Sequence, residues 1–105
     1  MKAILIYMTC ATNDEARKIA AVLLDKKLVA CANIMPPHTA LYSWQGKREE
    51  SQEVSVILKS RAGLFEAIRA EVVAHHSYDC PCIVALPIEA GHTPFMEWIE
   101  AQTGF

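Results

Sequence analysis

Leu28-Val29-Ala30-Cys31-Ala32-Asn33-Ile34-Met35, then Pro36-Pro37, then Thr39 to Trp44, the turn Gln45-Gly46-Lys47, and finally Glu53 to Lys59: this stretch decides the fold. Its first eight residues are small and apolar and read as a strand. Two prolines bend or interrupt that strand, because proline fixes φ and offers no N–H to a ladder. The strand resumes at Thr39. On the returning strand Val54, Val56 and Leu58 share one face, and Ser55 and Ile57 lie on the other. Residues 28 to 60 therefore predict a hairpin whose arms far exceed the ~5–6 residues of a typical strand. Arms of that length project beyond their sheet or pair with another chain, since a long uncovered edge invites association.

The flanking sequence supplies the other elements. Ala3 to Thr9 is almost continuously apolar, as expected of a strand buried on both faces. Thr12-Asn13-Asp14-Glu15 reads as a capping box, with Thr12 accepting from the Glu15 N–H and Glu15 reaching back. Ala16, Ile19, Ala20, Leu23 and Leu24 form one helical stripe. Lys26 and Lys27 are expected in the last turn, against the negative end of the dipole. A second helix is expected from about Ala62 to His75, with Leu64, Phe65, Ile68 and Val72 as its apolar stripe. Ser77 to Pro81 reads as a loop and Cys82 to Ile88 as a fourth strand. Thr93 is expected to cap a last short helix that has Pro94 at its first position and packs through Phe95, Trp98 and Ile99.

The order βαββαβ predicts an α+β fold: a ferredoxin-like sandwich with a long central hairpin and a C-terminal helix. A chain of 105 residues fits a single domain, 1–105. That fold hosts many functions and settles none.

Composition narrows the classes. Apolar residues are 52% of a short chain, so part of the apolar surface is expected at a subunit interface. The net charge is −2, and Lys47 and Arg48 are cancelled by Glu49, Glu50 and Glu53, which leaves no basic stripe for nucleic acid. Ser55-Val56-Ile57-Leu58 lacks the aromatics that RNA-binding versions of such a sheet display. No apolar run approaches the ~20 residues of a membrane span. Met1 to Tyr7 is followed at once by Cys10 and Asn13-Asp14-Glu15, with no small-residue cleavage site, so it reads as a strand rather than a signal peptide. A cytoplasmic location is expected, with the four cysteines as thiols. The glycines are scattered, no carboxylate pair stands out, and Arg17, Arg48, Arg61 and Arg69 frame no phosphate loop. The expectation is a protein that binds rather than catalyses.

Cysteine and histidine remain. Cys10 ends the first strand and reads either as a small buried hydrophobe or as a ligand at a strand end. His75-His76 closes the second helix. Adjacent helical residues diverge by about 100°, so both reach one metal only if the helix ends there. Otherwise the pair complements the helix dipole. Cys80-Pro81-Cys82 puts two sulfurs on the same side of an extended segment, an arrangement that suits a soft metal such as Cu(I) or simply a strand entering the core. Cys31 reads as structural, and His38 and His92 as solvated loop residues.

Several motifs, in order, resemble the CutA divalent-cation tolerance family: Ala30-Cys31-Ala32-Asn33-Ile34, Ser43-Trp44 with Gly46-Lys47, His76-Ser77-Tyr78-Asp79-Cys80-Pro81, and Ala85-Leu86-Pro87-Ile88. The resemblance runs nearly end to end. It implies a non-enzymatic homotrimer whose hairpin arms pair between subunits, with an architecture like the PII signalling proteins. It implies a copper-response or divalent-ion tolerance role in the cytoplasm, metal ions as partners, and neither nucleic acid nor membrane. Its proposed copper ligands fall on Cys10, His75 and His76, with Cys80 and Cys82 as further candidate donors. The family pattern has Glu after the proline where this chain has Cys82, which replaces a carboxylate with a thiol and favours a softer metal. The alternative is a PII-like trimer that binds a small molecule in clefts between subunits lined by Trp44, Lys59 and Tyr78.

Overall fold

Ala3–Cys10 (β1) carries the sheet, because both of its edges are paired. Lys47–Arg61 (β4) runs antiparallel along one edge, from Ala3 opposite Arg61 to Cys10 opposite Val54. Ile83–Pro87 (β5) runs antiparallel along the other. Cys31–Ile34 (β2) pairs with the outer edge of β4, giving the order β2-β4-β1-β5. The computed structural model describes residues Met1 to Gly104. Helices Asn13–Asp25 (α1), Phe65–His75 (α2) and Thr93–Gln102 (α3) complete the ferredoxin-like arrangement.

Two helices cover one face. Ile4, Ile6, Met8 and Cys10 of β1 and Val54, Val56 and Leu58 of β4 meet Ala16, Ile19 and Leu23 of α1 and Ile68 and Val72 of α2 in one buried cluster. Each large aliphatic side chain buried there contributes about 1.5–3 kcal/mol. The third helix lies on the opposite face. Arg61 and Lys59 alternate with the core residues of β4, and they reach the Thr103 carbonyl at 2.6 Å and the Phe95 ring at 6.0 Å. Near β5 that second face is left bare, with Val84 and Leu86 about half exposed.

The long strand expected from residue 28 onward is two strands. Pro36-Pro37 ends the β2 ladder, and His38–Trp44 (β3) starts a new one against Lys47 to Glu53. The register shifts across the break. Ile34 faces Val56, but His38 faces Glu53, so four steps along one strand match three along the other. One extra residue turns the alternation over. In β2 the odd residues Cys31 and Asn33 share the face of Ile57 and Lys59. In β3 the even residues His38, Ala40, Tyr42 and Trp44 take that face.

The ribbon of β3 and β4 extends beyond the end of β1 and stretches the molecule to 44 × 26 × 23 Å. Gln45 and Gly46 close it, both with positive φ (51° and 78°), the geometry of a tight hairpin turn that follows the strand twist.

Helix ends differ from the sequence expectation in detail. Thr12 does accept from the Glu15 N–H (3.1 Å), but the Glu15 carboxylate reaches the Ala11 N–H (2.9 Å), one residue before the cap. The second helix begins as a 3₁₀ turn over Ala62–Leu64. Thr93 makes no capping bond; the cap residue is His92, and Pro94 is one position further in. Lys26 and Lys27 lie past the last turn of α1. Leu28 N–H bonds the Leu23 carbonyl and Lys27 N–H that of Leu24, a Schellman closure. Lys27 therefore sits at φ 57°, where a side chain is strained. Lys27→Gly is expected to raise stability by about 0.5 kcal/mol, the relief of that strain less the added freedom of the unfolded chain. Urea denaturation would measure it, and a loss of stability would contradict the assignment.

Candidate functional site

The carboxyl end of β1, the start of α1 and the segment after α2 meet at one point. Cys10 points inward from β1 and is fully buried. His75 is the last residue of α2, and His76 leaves the helix with extended backbone (φ −85°, ψ 144°). That turn folds the His76 ring back over β1 until its side chain is wholly buried. Cys10 Sγ, a Glu15 carboxylate oxygen and a His76 ring nitrogen then lie within 4.8 Å of one another.

The hydrogen bonds define the ring. His76 Nε2–H donates to the Thr9 carbonyl at 2.7 Å, so the proton is on Nε2. Nδ1 accepts from the Tyr78 N–H at 3.0 Å and lies 3.9 Å from Glu15 Oε1. Glu15 is a crosspiece: one oxygen takes the Ala11 N–H and the other the Ser77 N–H at 2.8 Å. Desolvation pushes its carboxyl up, but the bonds from Ser77 and Ala11 outweigh that and hold it below the usual carboxylate range. Cys10 goes the other way: burial first, then the negative Glu15 and Glu53, push its thiol up to about 12.

The donor set suits a cation in kind. It offers sulfur, oxygen and nitrogen, and the Nε2–H bond to a backbone carbonyl is the orienting contact that metal-bound histidines have. Bonds of about 2.0–2.3 Å need donors about 3.3–3.8 Å apart, so the group has to contract. It also has to release the Tyr78 N–H from Nδ1 and the Cys10 proton.

The structure does not bring His75 to this point. Its ring turns outward, 47% exposed, and lies 3.3 Å from Glu71 one turn back. Glu15 has the third place instead, and the sequence reading gave it only a capping role. The signal available was position: a capping-box acid opens the helix directly after the strand that ends in Cys10.

A cavity of about 600 Å³ opens on the other side of β1. Trp44 and Tyr78 both line it, as do Cys80 and Cys82. Lys59 does not; it is held elsewhere on the sheet by Asn33 Oδ1 at 2.7 Å. The inverted alternation of β3 brings His38, Tyr42 and Trp44 to this cavity. Tyr7 OH and His38 Nε2 both bond Ser55 Oγ, at 2.7 and 2.5 Å, and Tyr78 OH donates to Glu53 at 2.8 Å. The two sites touch, because the His76 and Tyr78 rings lie 4.7 Å apart.

Residues 4–102 match the model of the CutA1 divalent ion tolerance protein family. The chain belongs to that family. The divalent-cation tolerance protein CutA of Archaeoglobus fulgidus is 46% identical over 95 residues, 90% of this chain and 92% of the relative. A solved structure of the Archaeoglobus fulgidus protein, described as periplasmic, superposes with TM-score 0.94, covering 97% of this chain and 99% of that one at 43% identity. CutA1 from Oryza sativa superposes at 0.96 with 34% identity, covering 99% and 95%. The chloroplastic Oryza sativa sequence is longer, and the chain spans 57% of it. The family is a divalent-ion tolerance family by description. Among the described residues no helix is long and apolar enough to cross a membrane.

Proposed function

We propose that this chain is a non-enzymatic, trimeric cation-response protein of the cytoplasm that takes up copper or another divalent cation at Cys10, Glu15 and His76. The observation that carries the reading is the convergence of thiol, carboxylate and ring nitrogen within 4.8 Å. Uptake makes Cys10 give up its proton and His76 release the Tyr78 N–H, while Nε2–H stays on the Thr9 carbonyl. The Tyr78 amide then loses its anchor, and the segment 76–82 shifts against the cavity. Cation occupancy is thereby converted into a change of surface. Two features support the trimer: the projecting ribbon, and the bare apolar face at Val84 and Leu86. The four free cysteines support a reducing compartment.

The test is a Cu(I) titration under anaerobic reducing conditions, with exposed Cys80 and Cys82 changed to serine so that the buried site reports. Cys10→Ala and His76→Ala are each expected to weaken binding at least tenfold, and His75→Ala to bind as the parent does. Equal weakening by His75→Ala would move the site outward, and unchanged affinity in the first two would sink it.

A second reading has its own observation. The cavity beside Trp44 and Tyr78 is within the ~300–1,000 Å³ of small-molecule pockets, which favours a PII-like trimer sensing a metabolite. Thermal shifts with metabolites on metal-free protein separate the two readings; a response without metal favours the second.

A further inference from the structure

The cavity holds a donor pair that the buried site does not use. Cys80 and Cys82 are both exposed and both line it, while Pro81 between them does not. The segment 76–82 is irregular and joins α2 to β5. A residue before proline is confined to extended backbone, and extended backbone puts positions i and i+2 on one side. The two sulfurs thus share a side and a cavity.

The other two cysteines are engaged differently. Cys10 is buried in the core, and Cys31 Sγ lies 3.8 Å from the Lys59 amine that donates to it. Cys80 and Cys82 are free thiols, and neither is bridged to another cysteine. The charge around them is one-sided. Glu53 and Asp79 line the cavity with them, and among the described lining residues there is no lysine or arginine. Burial, then the charge of Glu53, then the neighbouring Cys80 all push the Cys82 thiol up. A cation relieves the last two effects together. Thiolate pairs select soft, d¹⁰ cations over hard ones.

We propose that Cys80 and Cys82 form a second cation site, a two-thiolate chelate for a soft d¹⁰ cation at the wall of the cavity, with Glu53 supplying the attracting charge. For a divalent ion the balance is M²⁺ + 2 RSH → M(SR)₂ + 2 H⁺; nothing is oxidised or reduced. The site shares no ligand with Cys10, Glu15 and His76, and its test reads it separately from them.

Cadmium reports it directly, because thiolate-to-cadmium charge transfer absorbs in the ultraviolet. In reduced protein carrying Cys10→Ala, Cd(II) is expected to raise this band to saturation at one ion per chain. Cys80→Ser and Cys82→Ser, each added to that background, are expected to weaken binding at least tenfold, and the two together to abolish the band. Both positions are exposed, so circular dichroism should show an unchanged fold. No band in the Cys10→Ala protein would overturn the site. So would full affinity in either serine variant, since a chelate needs both sulfurs.

Discussion

Replacing Glu15 with alanine is expected to destabilise the protein by about 2–3 kcal/mol. The carboxylate accepts two backbone N–H groups, Ala11 at 2.9 Å and Ser77 at 2.8 Å, from segments far apart in sequence. A hydrogen bond to a charged group contributes about 1.5–3 kcal/mol. The side chain is 15% exposed, so water recovers part of the loss and the total stays near the lower end. Urea denaturation gives the magnitude. Hydrogen exchange gives the location, with the Ser77 amide losing protection before the core of β1. Glu15→Gln keeps one acceptor oxygen but loses the charge and the second acceptor, and should lie between. A cost under about 0.5 kcal/mol would mean that the segment after α2 is held by something else.

The same carboxylate sets a pH dependence. Its folded pKa is below the ordinary value of 4.5. Its contribution is therefore fully present above the unfolded value and is lost as pH falls through the folded one. As pH falls below 4.5 the wild type should lose stability that Glu15→Gln has already lost, and the two curves should converge in acid.

The second large effect concerns the ribbon. Changing both Leu41 and Trp44 to glutamate is expected to convert a trimer to monomers. Leu41 is 66% exposed and Trp44 46% exposed, and alternation puts them on opposite faces of a two-stranded arm. Such an arm is marginal alone. Burying what is still exposed of the two side chains against another chain contributes about 2–3 kcal/mol per subunit. Sedimentation should show mass falling from three chains to one, with a melting temperature that no longer depends on protein concentration. A double variant that stays trimeric would relieve the arm of that role, and a monomeric wild type would refute the trimer.

The sequence revealed what depends on neighbours along the chain. A continuous apolar run marked β1, alternation marked β4, and Thr12 with Glu15 marked the start of α1. It was silent where an outcome depends on where an element stops. His75 and His76 are chemically equal in the sequence, and only the end of α2 between them sends one to Glu71 and the other to Thr9. Glu15 meets Ser77 across 62 residues, a contact no local pattern encodes. Lys59 shares the face of Trp44 and Tyr78, yet its place further along β4, beside Asn33 of β2 to which it donates, keeps it from their cavity. Pro36-Pro37 announced an interruption but not the arithmetic of its register.

That arithmetic makes the cavity a matter of counting. The turn at Gln45-Gly46 sets His38, Tyr42 and Trp44 opposite Glu53, Glu49 and Lys47, and the one residue more between Ile34 and His38 than between Glu53 and Val56 lets β2 keep its own register on the same strand. Paired residues share a face, so taking out one proline would remove the extra residue without turning the arm over; only a slip of β3 by one place against β4 would send the aromatic wall to the far side. The length of the turn at the tip is thus as much a specification of the binding surface as the identity of any residue in it.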